Sequence, residues 1–192
     1  MSNKRGFLLV ISSPSGGGKT TLCRMLTENS KDMVYSISAT TRPMRRNEVD
    51  GKDYYFLTEE EFLRRENMGY FAETAVVHDY HYGTPIEMIQ KEVEKGRVVI
   101  MDLDVQGAKS IMSKFADSVT VFILPPSLTE LKARLMKRNT DDEETIKVRL
   151  KNAEDELKEA KDFKYTIVNE SVTDTYEKLQ SIIDNEIKRR NK

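Results

Sequence analysis

The stretch Gly6-Phe7-Leu8-Leu9-Val10-Ile11-Ser12-Ser13-Pro14-Ser15-Gly16-Gly17-Gly18-Lys19-Thr20-Thr21 decides the fold. Its apolar run, Phe7 to Ile11, is short and continuous, which reads as a strand buried on both faces, as in a parallel sheet. Beyond the glycines, Lys19 to Thr27 carries Leu22, Met25 and Leu26 at helical spacing. A strand, a Gly-rich loop and a helix in that order form a phosphate-binding loop, the P-loop. Backbone N–H groups unobstructed by side chains wrap a phosphate, and the following helix adds the positive end of its dipole. Lys19 brings an ammonium to the β- and γ-phosphates, and Thr20 offers a hydroxyl to Mg²⁺. The pattern departs at its first position, where Ser13 replaces glycine. That matters only if the position needs a positive φ, which glycine adopts freely.

Moving outward, Arg97-Val-Val-Ile-Met-Asp102 is a second buried strand, following a helical pattern over Pro85 to Lys95 that stops at Gly96. Ser118 to Leu124 is a third, after a helix from about Val105 to Phe115. A last strand, Lys164 to Val168, leads into an amphipathic helix with Tyr176, Leu179, Ile182, Ile183 and Ile187. Strands alternating with helices predict an α/β fold around a parallel sheet. Asp102, ending its strand beside a P-loop, can hold Mg²⁺ through water as a Walker-B acid does.

Two stretches break the rhythm. Residues 34–84 are rich in Tyr, Thr and Arg, with turn signals at Arg42-Pro43 and Asp50-Gly51 and one short helix, Glu59 to Glu66. They read as an inserted β-rich subdomain. Residues 126–151 are charged and helical, with Leu128, Leu131 and Leu135 as an apolar stripe, and read as a lid. The core is then residues 1–33, 85–125 and 152–192.

Composition bounds the partners. With 38% hydrophobic and 33% charged residues and a net charge of −1, the surface has no global basic field for nucleic acid or an anionic membrane. The one cysteine, Cys23, fits a reducing compartment and reads as a small buried hydrophobe. The N-terminal apolar run is too short for a signal sequence, and no stretch approaches a membrane span. A cytoplasmic location is expected.

The P-loop alone does not choose among GTPase, ATPase and kinase. The insertion carries Ser36-Ile-Ser38-Ala-Thr-Thr-Arg42-Pro-Met-Arg45, then Glu48-Val-Asp-Gly51-Lys-Asp-Tyr54, Phe71-Ala-Glu73 and His81-Tyr82-Gly83-Thr84. Two arginines and two tyrosines suit a phosphate dianion, since Arg forks match its oxygens and phenols donate to the rest. A carboxylate among small hydroxyls suits a base edge rich in donors. Taken alone, the same residues also suit a solvated arginine pair and ordinary strand packing.

In these blocks, together with Asp102-Leu-Asp104-Val-Gln-Gly107, Leu124-Pro-Pro-Ser127 and Ile167-Val-Asn169, the chain resembles the guanylate kinase family nearly from end to end. The resemblance implies transfer of the γ-phosphate of ATP to GMP, with Mg²⁺. It implies that Ser38, Glu73 and Thr84 read the guanine and that Arg42, Arg45, Tyr54 and Tyr82 hold the GMP phosphate. Asp102, with Asp104, would serve the metal and acceptor side. Lid arginines Arg134, Arg138 and Arg149 would reach the phosphates. Lys19, Arg45, Arg138 and Arg149 would be the catalytic cations. The partners are then ATP and GMP, with no nucleic acid and no membrane, and homo-oligomerisation stays open.

Asn47 stands where many members of that family have glycine, and asparagine is the next most tolerant residue for a left-handed turn. His78 and His81 are expected to be structural, because an acceptor phosphate is already anionic and needs no strong base. A GTPase would need an Asn-Lys-x-Asp segment. Asn3-Lys4 and Asn191-Lys192 are the only Asn-Lys pairs, and neither continues that way. Another nucleoside monophosphate kinase should lack the carboxylate facing the base. A peptide-binding scaffold of the same family would tend to have a degraded loop, whereas Lys19 and Thr20 are intact.

Overall fold

All six residues of strand β1, Phe7–Ser12, are buried, and their side chains divide strictly by parity. Phe7, Leu9 and Ile11 pack with Leu22, Cys23 and Leu26 of helix α1 (Lys19–Glu28) and with Leu179 and Ile183 of a C-terminal helix. Leu8 and Val10 pack on the other face with Ile89, Val105, Ala108 and Ile111. A strand with helices on both sides must be apolar at every position, which is why its sequence shows a run and not an alternation. Each large aliphatic side chain so buried contributes about 1.5–3 kcal/mol.

The computed structural model describes residues 5–77, 79–137 and 143–192. After α1 come β2 (Met33–Tyr35), β3 (Ala39–Thr40), β4 (Tyr55–Phe56), α2 (Glu59–Asn67), β5 (Phe71–Val77) and β6 (Tyr80–Pro85). Then follow α3 (Ile86–Glu94), β7 (Val98–Asp102), α4 (Val105–Lys114), β8 (Val119–Leu124), α5 (Leu128–Lys137) and α6 (Glu143–Lys158). A short 3-10 turn leads to β9 (Tyr165–Val168) and α7 (Val172–Arg190). The larger sheet has the order β2-β7-β1-β8-β9 and is parallel throughout. The chain runs from β1 to one side and later returns past it to the other. The loop after β1 therefore opens at the point where strand order reverses, the crevice where such sheets bind ligands.

The α/β expectation holds, and two of its boundaries differ. Val34 and Tyr35 lie outside the inserted subdomain: β2 pairs with β7, Val34 opposite Val99 and Tyr35 opposite Ile100. Three residues are too few to show a period, so the strand exists only through its neighbour. The expected junction at 151/152 falls inside α6, which continues unbroken from the lid region to Lys158.

The insertion forms a second sheet, β4-β3-β6-β5, over a small core of Ala39, Phe62 and Phe71. The rings of Phe62 and Phe71 stack at 4.6 Å, and the imidazole of His81 lies 5.2 Å from Phe62, a packing role. His78 lies outside the described residues. Among those described, no helix is long and apolar enough to cross a membrane.

Candidate active site

The turn between β1 and α1 is a nest of backbone amides. Gly16 and Gly18 have φ of 89° and 92°, a region closed to most side chains. Among the described residues the one non-glycine with positive φ is Asp79, so neither Ser13 nor Asn47 sits where a glycine is required. Lys19 Nζ donates to the Ser13 carbonyl at 2.9 Å and to Ser13 Oγ at 3.2 Å, and lies 4.0 Å from Asp102 Oδ1. Thr20 Oγ1 donates to Asp102 Oδ2 at 3.0 Å. Burial raises the Asp102 carboxyl above the usual carboxylate range, against the opposing pull of Lys19 and Thr20. Thr21 is exposed on the first turn of α1.

Both helices of the lid region touch this loop. A Cβ placed on Gly16 would lie 3.2 Å from Leu131 Cδ1 and from Leu135 Cδ2 of α5. These leucines form a cluster with Leu150 and Ala153 of α6. From α6, Arg149 donates to Ser15 Oγ. Arg134 pairs with Glu130 at 3.1 Å and reaches the Asn169 carbonyl at 3.3 Å. Arg138 lies outside the described residues.

In the insertion Arg42 is held from several directions. It pairs with Glu48 Oε1 at 2.7 Å and donates to the Pro43 carbonyl at 2.7 Å. Its guanidinium carbon is 5.5 Å from the centre of the Tyr54 ring, which meets Tyr82 edge-on at 5.9 Å. The hydrogen bond from Arg42 holds the Glu48 carboxyl below the usual range. Arg45 is exposed and joins this group through its backbone, which donates to Glu48 Oε2 at 2.8 Å.

Glu73 is 3% exposed. Thr84 Oγ1 donates to its Oε1 at 2.6 Å, and Ser38 Oγ lies 3.4 Å from Thr84 Oγ1. Its other oxygen faces the first turn of α4, where a Cβ on Gly107 would come within 3.1 Å of Oε2. Burial raises the Glu73 carboxyl, while the Thr84 hydrogen bond lowers it. Asp104 caps α4, accepting from the Gly107 amide at 2.7 Å. In this structure it therefore serves the helix end, and Asp102 alone meets Thr20.

Three residues at the site have no sequence-based role. Glu48 organises both arginines. Asn169, 2% exposed, donates to the Gly17 carbonyl at 2.9 Å and accepts from Thr175 at 3.0 Å. Glu156 of α6 is half-buried; burial raises its carboxyl, with Lys19 opposing. The spacing Arg42, Arg45, Glu48 was a usable signal for the first. The other two depend on contacts across the fold.

The guanylate kinase family model matches residues 5–186. The chain belongs to the guanylate kinase family. A guanylate kinase of Caldanaerobacter subterraneus subsp. tengcongensis is 47% identical over 180 residues, 94% of this chain and 87% of that one. The guanylate kinase of Thermotoga maritima is 43% identical over 182 residues, 95% of this chain and 88% of the relative. The crystal structure of guanylate kinase from Anaplasma phagocytophilum superposes with a TM-score of 0.81 at 36% identity, covering 97% of this chain and 88% of that one. Similarity to guanylate kinases thus spans the sheet, the insertion and the lid region.

Proposed function

We infer that this chain transfers the γ-phosphate of ATP to GMP, giving ADP and GDP, with the P-loop as donor site and the insertion as acceptor site. It is an enzyme, an ATP:GMP phosphotransferase, working in the cytoplasm. One observation carries the reading: the base-side carboxylate and the phosphate loop are joined through a single turn. Glu73 abuts Gly107 at the start of α4. That helix begins three residues after Asp102, and Asp102 meets Thr20 of the loop. A nucleotide read at Glu73 thus has its phosphate directed toward whatever the loop holds.

In the reaction an anionic oxygen of the GMP phosphate attacks the γ-phosphorus and the bond to the bridging oxygen of ADP breaks. No proton needs to be removed first, so the residues position and stabilise charge. Lys19 and the loop amides hold the donor phosphates. Arg42, fixed by Glu48, and Arg45 take the acceptor phosphate with the Tyr54 and Tyr82 hydroxyls. Arg134, Arg138 and Arg149 supply further positive charge as the lid region covers the site and excludes water. Glu73 accepts from guanine N1–H and the 2-amino group, with Ser38 and Thr84 on neighbouring edge atoms.

Thr20 and Asp102 present adjacent hard oxygens, a donor set that suits Mg²⁺. They would hold it directly and through water, and the ion would neutralise charge on the phosphate oxygens. The test is a phosphotransfer assay with ATP and Mg²⁺ against a panel of nucleoside monophosphates. GMP should be consumed well ahead of AMP, CMP and UMP. ATP or GTP hydrolysis without GMP consumption would sink the reading.

A further inference from the structure

Gly16 and Gly18 earn their places by conformation, but Gly17 does not: its φ lies outside the left-handed region, so any L-residue could adopt its backbone. What excludes a side chain there is Ser13. A Cβ on Gly17 would lie 2.4 Å from Ser13 Oγ and 2.7 Å from Ser13 Cβ, closer than such atoms ever come. The remaining neighbour, the Pro14 carbonyl oxygen, would be at 3.0 Å, a contact that a few tenths of an ångström relieves. The unexpected serine and the middle glycine are therefore two halves of one arrangement.

The space Ser13 takes is put to use. Its hydroxyl donates to the Pro14 carbonyl at 2.9 Å, which fixes the proton and leaves the oxygen lone pairs for Lys19. Lys19 Nζ then finds two acceptors on one residue, the Ser13 carbonyl at 2.9 Å and its hydroxyl at 3.2 Å. An ammonium has three N–H donors; two are committed here and the third is left for an anion. A free lysine chain spreads over many rotamers, and ordering it opposes binding. With glycine at position 13 the second acceptor would be missing and the tether looser.

We propose that Ser13 is a positioning residue for Lys19, holding its ammonium in the phosphate loop through the side-chain hydroxyl, and that Gly17 is retained to make room for that side chain. The proposal rests on the loop's role as ATP donor site. The wild-type assay above tests that role separately: a wild-type chain that leaves GMP untouched overturns the function, whereas the variants below, in an active chain, judge the proposal.

The experiment measures kcat, KM for ATP and for GMP, and the thermal midpoint of Ser13→Ala, Ser13→Gly, Gly17→Ala and the double variant Ser13→Gly/Gly17→Ala. Ser13→Ala keeps the Cβ and removes the hydroxyl. Its kcat should fall about tenfold or more, the scale of one hydrogen bond to a charged group, with KM for GMP and the thermal midpoint unchanged. Gly17→Ala should lower kcat/KM for ATP by at least about tenfold in the Ser13 chain, as overpacking does. In the Ser13→Gly chain the same change should cost less than about threefold, a coupling that a double-mutant cycle reads directly. If Gly17→Ala is insoluble while the double variant folds, the pairing is supported. Unchanged kcat in Ser13→Ala, or a fall matched by lost thermal stability, overturns the tether. An equal penalty for Gly17→Ala in both chains, or insolubility of both, overturns the pairing.

Discussion

Asn169 Nδ2 donates to the Gly17 carbonyl at 2.9 Å across 152 positions of sequence. The residue after β9 thereby fixes the floor of the phosphate loop, and Thr175 in the first turn of α7 fixes Asn169 in turn. Asn169→Ala takes the side-chain donor from the buried Gly17 carbonyl, while the Thr175 hydroxyl keeps the Ser171 carbonyl at 2.7 Å. Leaving that carbonyl unpaired costs about 1–3 kcal/mol, so the thermal midpoint should drop by several degrees. KM for ATP should rise more than KM for GMP, because the disturbed carbonyl belongs to the donor loop. Equal rises in both would show that Asn169 supports the fold alone.

Glu48 is expected to govern the acceptor phosphate without touching the donor. Glu48→Ala removes the partner of Arg42 and the acceptor of the Arg45 amide. A guanidinium freed into several rotamers binds its phosphate less well. KM for GMP should rise about tenfold, the scale of one charged hydrogen bond, with KM for ATP nearly unchanged. Steady-state kinetics with each substrate varied in turn checks this.

Glu73 is expected to set the choice of base. Guanine offers two adjacent donors, while adenine has an unprotonated N1 and no 2-amino group. Glu73→Ala should cut kcat/KM for GMP by about 10²–10⁴, for two charged hydrogen bonds. The loss for IMP, which lacks the 2-amino group, should be smaller, and AMP should hardly change. A parallel fall for all three would assign Glu73 to the fold, where it already bonds Thr84.

Acid should loosen the C-terminal helix first. Glu186 is buried on α7, where burial alone would raise its carboxyl. Hydrogen bonds from Lys164 at 2.6 Å, Tyr165 at 2.7 Å and Arg189 at 2.8 Å outweigh that and hold it at about 2, against 4.5 in the free side chain. A folded pKa below the unfolded one means stability that is fully present above 4.5 and lost as pH falls toward 2. Denaturant midpoints measured between pH 5 and about 2 should fall more steeply for the wild type than for Glu186→Gln. Parallel curves would show that Glu186 adds no such dependence.

Much of this is legible in the sequence itself. The apolar runs name the β1, β7 and β8 strands because each is buried on both faces and so writes its burial in consecutive residues, whereas β9, at the sheet edge with only Ile167 buried, is marked by its β-branched residues and the helical pattern that follows. The loop is legible because backbone approach to phosphate demands glycine at positions 16 and 18. What escaped has a common cause. β2 is three residues long and takes its identity from β7. The cap that Asp104 makes on α4 is set by its place just before the helix. Ser13 looks like a departure from pattern until Gly17 is seen beside it. Each of these depends on a partner distant in sequence or on local backbone geometry, neither of which residue type encodes.

Helix α6 is one rod with two addresses. Its sixteen residues, Glu143 to Lys158, span about 24 Å, and Arg149 stands roughly 14 Å from the Lys158 end at 1.5 Å per residue. If the rod pivots at that end by about 10°, Arg149 travels roughly 2.4 Å while the Glu143 end travels roughly 4 Å, lengths fixed by the helical rise. The first distance is enough to part Arg149 from Ser15. A lever of this kind has a set gear ratio: the Arg149 contact with the phosphate loop and the position of the Glu143 end of the helix move together, and a small swing suffices to change both.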